Sequence, residues 1–262
     1  MTEILLETRN DEIAHLTMNR PKARNSLSLE MMAVLNDAFL RLGADQTVKA
    51  IVLSGDGPAF CAGHDLKEMS AARQEDDKGR AFFEKTMQAC SRLMQDIVAC
   101  PKPVIAAVDG IATAAGCQLV ASCDLAVASS SSRFATPGVN IGLFCSTPMV
   151  AVSRNISRKR VMEMLLMGEM ISAPTALDWG LVNRVTEDGA AIDEAFKMAE
   201  VIASKSPATV KIGIEAFYKQ AEMPLDQAYD YTAQVMVDNM MHRDAEEGIN
   251  AFIEKRKPEW KG

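Results

Sequence analysis

Cysteine and histidine are the residue types in this sequence that could supply a nucleophile, a general base or a metal ligand. The sequence contains six cysteines and three histidines. No two cysteines form a C-x-x-C pair and no histidine stands at zinc-ligand spacing, so the sequence predicts reduced, buried thiols and no metal site. His15 is predicted to lie on a strand and His242 on a helix, both in structural roles.

One loop carries two candidate nucleophiles, Cys145 and Ser146. A cysteine attacks a substrate efficiently only when its pKa is lowered and a base lies nearby. No histidine is adjacent to this loop in the sequence, although His64 could approach it in the folded chain. Cys145 and Ser146 are therefore predicted to line a pocket, with nucleophilic catalysis as the alternative.

A segment of small residues, Ala114-Ala115-Gly116, follows a turn at Gly110 and is predicted to open a helix. The first N–H groups of a helix have no partner within it, and the helix dipole favours negative charge there. Such a segment can stabilise an anionic oxygen, because its small side chains let a ligand approach the backbone. A close contact between helix and sheet would also require small residues, and the sequence alone leaves both explanations open.

Charge and composition limit the possible partners. The net charge of -7 argues against nucleic-acid binding, which relies on a positive surface. An anionic ligand would need local cations or helix N-termini. No run approaches the roughly 20 apolar residues of a membrane span, and the N-terminal segment lacks the basic region of a signal peptide. The sequence therefore predicts a cytoplasmic protein with a small-molecule partner, and neither nucleic acid nor membrane as a partner.

The elements that must position these residues alternate between strand and helix in the first part of the chain. Apolar residues alternate with polar ones on both sides of Asn10-Asp11, as in a β-hairpin, and Ser28 has the position of a helix N-cap. The predicted elements are strands at 4–8, 13–18, 48–53, 104–108 and 125–128, and helices at 29–42 and 79–100. This alternation indicates an α/β fold with a mostly parallel sheet.

The second half of the chain is predominantly helical. Ser172 is predicted to cap a helix, and the run 182–185 predicts one further strand. Helices are predicted over most of 190–256. We therefore predict two parts, a core over residues 1–200 that holds the site and a helical oligomerisation module over residues 201–262.

Five segments along nearly the whole chain resemble, in the same order, the signature segments of the enoyl-CoA hydratase/isomerase (crotonase) superfamily. They are residues 19–27, 59–69, 102–110, 114–119 and 244–256. Residues 112–124 and 134–148 look most similar to the group called enoyl-CoA hydratase domain-containing protein 3. The resemblance implies a crotonase-like α/β spiral of ββα units, with C-terminal helices that assemble trimers, commonly paired as hexamers.

The resemblance also implies an acyl-CoA substrate, with no cofactor apart from the coenzyme A of the substrate itself. The family's oxyanion hole, which holds the thioester oxygen, falls on the backbone N–H groups of His64 and Ala115. The residues implied for coenzyme A binding are Lys22, Ala23, Arg24, Ala62, Gly63, His64, Asp65, Leu66 and Lys67, with Phe252 and Lys255 often from a neighbouring subunit. The four cations in this set would supply the local positive charge that the ligand needs.

The sequence departs from the family at both catalytic carboxylates. Hydratases of the family hold and activate water with two glutamates, and the corresponding positions here are Gln118 and Gly138. Acid–base help is typically worth about 10²–10⁴ in rate, and neither an amide nor a glycine supplies it. Three functions therefore stay open: a weak hydratase or isomerase, a decarboxylase or thioester hydrolase that uses the same oxyanion hole, and a non-catalytic acyl-CoA-binding hexamer.

Overall fold

Two β-sheets organise the chain, whose computed structural model describes residues 3–262. The strands are β1 Leu5–Asn10, β2 Ile13–Met18, β3 Ala50–Gly55, β4 Ala59–Cys61, β5 Val104–Val108, β6 Ile111–Thr113, β7 Leu125–Ser129, β8 Arg133–Ala135, β9 Ile171–Ser172 and β10 Arg184–Thr186. The large sheet has the order β1-β2-β3-β5-β7-β10, with an antiparallel β1–β2 hairpin and parallel pairing elsewhere. The predicted hairpin and the mostly parallel sheet are confirmed. The strand predicted at 182–185 is β10, an edge strand paired with β7.

The small sheet has the order β4-β6-β8-β9 and was not predicted from the sequence. Its strands have only two or three residues, which is too short to show an alternating pattern. β4, β6 and β8 are parallel neighbours, and β9 is antiparallel to β8. The carboxyl ends of the three parallel strands therefore lie at one edge, which brings together the residues that follow each strand.

Eleven helices surround the sheets in the described part of the chain. They are α1 Leu29–Ala44, α2 Leu66–Ala72, α3 Arg80–Val98, α4 Ala115–Ser122, α5 Pro148–Val152, α6 Arg158–Met167, α7 Ala173–Trp179, α8 Ala191–Ala203, α9 Pro207–Gln220, α10 Leu225–Met240 and α11 Arg243–Glu254. The predicted N-caps are confirmed, because the hydroxyl of Ser28 accepts the N–H of Met31 and that of Ser172 accepts the N–H of Thr175. The prediction that Gly43 ends α1 was wrong, since the helix continues for one residue and is capped by Asp45.

The large sheet separates two apolar layers. On one face, buried side chains of α1, α3 and α4 form the main core together with the small sheet. On the other face, α8 packs alanines at four-residue spacing against the strands. These alanines are Ala191, Ala195, Ala199 and Ala203. Because alanine is small and the spacing keeps all four on one face, α8 lies close to the sheet.

Buried polar contacts connect the C-terminal helices to the core and to one another. The hydroxyl of Tyr218, on α9, donates to Asp124 at 2.8 Å, beside the start of β7. Asp244, on α11, accepts the hydroxyl of Ser206 at 2.6 Å and the N–H of Lys261 at 3.0 Å. These bonds hold α9 and α11 in fixed positions. Among residues 3–262, no helix is both long enough and apolar enough to cross a membrane.

Candidate functional site

The backbone that follows β4 presents an unpaired N–H group. Leu27 and His64 form an isolated parallel bridge, in which the N–H of Leu27 donates to the carbonyl of Gly63 at 2.8 Å and that of Asp65 donates to Leu27 at 3.3 Å. The central residue of such a bridge directs its own N–H to the opposite side. The N–H of His64 therefore points away from Leu27, and no described residue accepts it.

A second unpaired N–H group lies beside the first, at the start of α4. Ala115 is the first residue of this helix, so its N–H has no partner within the helix, and no other described residue accepts it. Ala114 directs this N–H from a backbone conformation of φ 50° and ψ -118°, which is strained for an L-residue. A Cβ atom placed on Gly63 would lie 3.4 Å from the nitrogen of Ala115. The loop that carries His64 and the start of α4 are thus in contact.

The same segment also provides the close helix–sheet contact that was the alternative explanation for its small residues. A Cβ atom on Gly116 would overlap the carbonyl oxygen of Cys61, at the end of β4. The hydroxyl of Thr113 donates to the carbonyl of Ala62 at 3.1 Å, which ties β6 to the same loop. The geometry is therefore compatible with both explanations: Gly116 allows the close contact, and the N–H of Ala115 is unpaired.

Asp65 and Arg20 fix the loop that carries His64. The Asp65 carboxylate accepts the guanidinium of Arg20 at 3.0 Å, the hydroxyl of Ser26 at 3.2 Å and the N–H of Lys67 at 3.1 Å, which caps α2. Burial acts to raise the pKa of Asp65, but the hydrogen bonds outweigh it, and the pKa is lowered. The sequence did not indicate the role of Arg20, because its partner lies 45 residues away.

The two positions that hold glutamates in hydratases of the family are closely packed here. Gln118 is buried on α4, with its side-chain oxygen 3.8 Å from the sulfur of Cys90. Gly138 does not have a left-handed backbone, but a Cβ atom on it would lie 2.9 Å from both the sulfur of Cys145 and the carbonyl oxygen of Leu143. The Cys145 side chain therefore occupies the space that a side chain at 138 would need.

Cys145 does not have the environment of a nucleophile. Burial raises the pKa of its thiol, although the neighbouring N–H of Gly138 acts in the opposite direction. His64 is not its base, since neither ring nitrogen of His64 is hydrogen-bonded to Cys145. Ser146, on the same loop, directs its hydroxyl to the carbonyl of Phe144 at 3.4 Å. The geometry thus favours pocket lining over nucleophilic catalysis at this loop.

The cations implied for coenzyme A binding lie on exposed surfaces. Lys22 lies within a 3-10 turn over Pro21–Ala23, Arg24 follows this turn, and Lys67 is in the first turn of α2. All three are exposed, and none forms a salt bridge with a described residue. Lys255 follows α11, which packs against α9 and α10 instead of the elements that carry the other three. Phe252, on the same helix, is 85% exposed.

The other two histidines support the fold. His15, on β2, lies 2.8 Å from the hydroxyl of Ser54 on β3, and its ring meets the edge of Phe196 on α8. Ser54 is fully buried between the sheet and α8, so this serine–histidine pair is closed to a substrate. His242 caps α11 by accepting the N–H of Asp244 at 3.2 Å.

Comparison with known proteins identifies the family to which this site belongs. Residues 8–262 match the sequence profile of the enoyl-CoA hydratase/isomerase family. The chain belongs to this family. Enoyl-CoA hydratase domain-containing protein 3 of Rattus norvegicus is 47% identical over 257 residues, which cover 98% of this chain and 84% of the relative. The protein of that name from Homo sapiens is 48% identical over 95% of this chain and 81% of its own length.

Solved structures of enoyl-CoA hydratase/isomerase family members confirm the crotonase-like fold. A structure titled as an enoyl-CoA hydratase of Mycobacterium smegmatis has a TM-score of 0.94 and 50% identity, and it covers 99% of both chains. The human domain-containing protein 3 structure has a TM-score of 0.93 and 46% identity, and it covers 98% of this chain and all of the other. The predicted resemblance to that group is therefore confirmed.

The predicted cytoplasmic location was wrong on this comparison. The names of the rat, human and mouse relatives all include the word mitochondrial. The prediction relied on the lack of a signal-peptide pattern and of a membrane-spanning run. Both patterns concern secretion and membrane insertion, so they do not distinguish the cytoplasm from the mitochondrion.

Proposed function

We propose that this chain binds acyl-CoA thioesters, with the thioester oxygen between the N–H groups of His64 and Ala115. The observation that carries the proposal is the contact between two backbone segments whose N–H groups both lack acceptors. Donors that are fixed before the substrate arrives stabilise an enolate oxygen without reorganisation. Exposed, unpaired Lys22, Arg24 and Lys67 would meet the phosphates of coenzyme A, whose charge the acidic chain would otherwise repel.

Hydration is proposed to be a weak activity of this site, because no carboxylate occupies either glutamate position. Cys145 fills the space beside Gly138, and Gln118 contacts Cys90. This packing favours, as a second candidate, reactions in which the enolate forms without a base. In decarboxylation of a malonyl-type thioester, the bond to the carboxyl carbon breaks, CO2 leaves, and the electron pair moves to the oxygen held by the two N–H groups. If the chain is instead a non-catalytic acyl-CoA-binding protein, it should bind acyl-CoA with the same affinity as proposed here but show no turnover.

Calorimetry tests the binding proposal. We expect acetyl-CoA or a longer acyl-CoA to bind with a Kd below the millimolar range. Arg24→Glu and Lys67→Glu should each weaken binding by about tenfold, the effect of one lost charged hydrogen bond. The matched control is Lys205→Glu, which reverses an exposed charge at the end of α8 and should leave the Kd unchanged. Absence of binding at millimolar acyl-CoA would contradict the proposal.

Two separate apolar surfaces favour assembly into a ring of identical chains. The C-terminal surface consists of Tyr229, Met236, Val237, Met240, Met241, Ile249, Phe252 and Ile253, all exposed on or beside α10 and α11. The loop surface consists of Ile141, Leu143, Phe144, Met149, Val150, Met162, Leu166, Met167 and Met170. Large exposed apolar areas mark interaction sites, and contacts between unlike surfaces close into rings. We propose that the C-terminal surface of one chain covers the loop surface of the next, in a trimer or a dimer of trimers.

Light scattering tests this assembly. A chain of 28.5 kDa should give a mass three or six times that value at micromolar concentration. The double variant Met241→Glu/Phe252→Glu places charges in the C-terminal surface and should lower the mass to that of one chain. The control is Leu40→Glu on α1, which changes an exposed leucine outside both surfaces and should not alter the mass. A wild-type monomer would overturn the proposal.

A further inference from the structure

Two segments of the candidate site run side by side and are joined by backbone hydrogen bonds. The cation turn, residues 20–27, contains two of the exposed cations, and the donor loop, residues 62–65, presents the unpaired N–H of His64. The carbonyl of Arg24 in the turn accepts the N–H of Ala62 in the loop at 3.0 Å. The isolated bridge at the end of the turn adds two more bonds, of 2.8 Å and 3.3 Å. A movement of the turn is therefore transmitted to the loop through the backbone.

One side chain connects both segments. The guanidinium of Arg20, at the start of the cation turn, donates to the carbonyl of Ser26 at 3.0 Å and to the carboxylate of Asp65 at 3.0 Å. The side chains of the pair Arg20–Asp65 are only 24% and 10% exposed, so salt screens the pair less than one on the surface. Arg20 thus holds the two ends of the turn and the donor loop in one arrangement.

The backbone of the cation turn depends on such contacts. Arg24 and Asn25 both have a φ of 51°, in the left-handed region that is uncommon for residues other than glycine. Residues persist in this conformation only where their surroundings hold them. Asn25 is held by its fully buried amide, which donates to the carbonyls of Asp56 at 2.9 Å and Ala59 at 2.8 Å. Arg24, which is proposed to meet a phosphate, is the residue whose carbonyl holds the donor loop.

The guanidinium of Arg20 is used entirely within these two segments. Among residues 3–262, its hydrogen bonds go to Ser26 in the turn and Asp65 in the loop. The carboxylate of Asp65 has a further role, because it also caps α2 through the N–H of Lys67. Arg20 can therefore be replaced without removing a helix cap, and its contacts suit the alignment of the two segments instead of binding of the ligand.

We propose that Arg20 is a positioning residue that couples the cation turn to the donor loop. When the phosphates of coenzyme A occupy the turn, Arg20 fixes the loop so that the N–H of His64 is aligned on the thioester oxygen. The inference rests on the proposed acyl-CoA site. Binding energy from a part of the ligand that does not react would thereby orient a donor at the part that does. A thioester without phosphates should meet a less well aligned donor.

Isotope-edited infrared spectra of two bound thioesters test the inference, since the carbonyl stretching frequency falls when donors are aligned on its oxygen. The ligands are butyryl-CoA and butyryl-pantetheine, which has the same acyl group and thiol arm but no phosphate. In wild type, the frequency should be lowered more for butyryl-CoA than for butyryl-pantetheine. In Arg20→Gln, the lowering for butyryl-CoA should fall by about half, because one of two donors is misaligned. The two ligands should then give the same frequency.

Two further variants make the test specific. Arg20→Lys keeps the charge but lacks the forked donors of arginine, and it should give a frequency between those of wild type and Arg20→Gln. The matched control is Arg41→Gln, which removes another arginine–carboxylate pair, between α1 and Glu7 on β1. It should leave both frequencies at their wild-type values. Circular dichroism shows which variants are folded, and one folded Arg20 variant is enough for the test.

The outcomes separate this inference from the proposal on which it rests. If butyryl-CoA does not bind to wild type, or its carbonyl frequency is unchanged on binding, the acyl-CoA site is wrong. If the frequency is lowered equally in wild type and in every folded Arg20 variant, the positioning role of Arg20 is wrong and the acyl-CoA site stands. Equal frequencies for the two ligands bound to wild type would likewise overturn the coupling alone.

Discussion

Hydration of crotonyl-CoA by this chain is expected to be at least about 10³-fold slower than by a family member that retains both glutamates. Gln118 and Gly138 stand where the proton-transferring groups are needed, and at Gly138 the neighbouring Cys145 and Leu143 leave no room for a side chain. The measurement is the loss of enoyl absorbance, with both enzymes at equal concentration and the same pH. A wild-type rate that equals that of the two-glutamate relative would show that another group activates water.

Replacement at position 118 gives the sharper version of this test. Gln118→Glu should raise the hydration rate, because it restores one group that can exchange protons. Gln118→Met has nearly the same size and no titratable group, and should leave the rate at or below wild type. A glutamate at position 138 would not test the same point, because its Cβ atom alone would displace Cys145 or Leu143 and so disturb the local fold.

Replacement of Ala115 by proline is expected to remove one of the two N–H groups that we propose as donors to the thioester oxygen. Loss of one oxyanion donor typically costs about 10²–10³ in rate, so any turnover that the wild type shows should fall by that factor. Proline is tolerated at the first position of a helix, where the missing N–H has no helical partner. Isotope-edited infrared spectra of a bound acyl-CoA give a reading that does not depend on turnover, because donors at the carbonyl oxygen lower its stretching frequency.

The control for this prediction is Ala115→Gly, which keeps the N–H group. It should preserve the lowered carbonyl frequency of the wild type, whereas Ala115→Pro should shift the frequency back towards that of free thioester. Circular dichroism of both variants verifies that α4 and the fold are retained. An unshifted carbonyl in the wild-type complex, or equal spectra for the two variants, would contradict the assignment of the Ala115 N–H.

Long elements could be predicted from the sequence because their patterns repeat several times. The hairpin β1–β2 and the cap of α1 by Ser28 were recognised from alternation and from a local side-chain hydrogen bond. β4, β6 and β8 could not be recognised, since three residues contain hardly one period of alternation. The small sheet is specified by tertiary contacts, such as the contact of Gly116 with the end of β4.

The candidate site was predictable where its chemistry resides in a short segment. Ala115 was assigned through the family resemblance, and the run of small residues at a predicted helix start agreed with that assignment on physical grounds. The partners of Asp65 could not, since Arg20 and Ser26 are far away in sequence and carry no local signal.

A methyl group is tolerated at position 114 but not at position 116. This difference determines which sequence pattern should be used to search for distant members of the family. At 114 the backbone has an uncommon geometry that a methyl group makes less favourable, and proteins tolerate such a residue at an energetic penalty. At 116 a methyl group meets a main-chain oxygen that cannot move aside. A search pattern that demands glycine at positions 114, 115 and 116 would reject this chain, although the N–H groups of His64 and Ala115 are both unpaired. A pattern that requires glycine only at position 116 and allows any small residue at 114 and 115 would find proteins with three glycines as well as this chain.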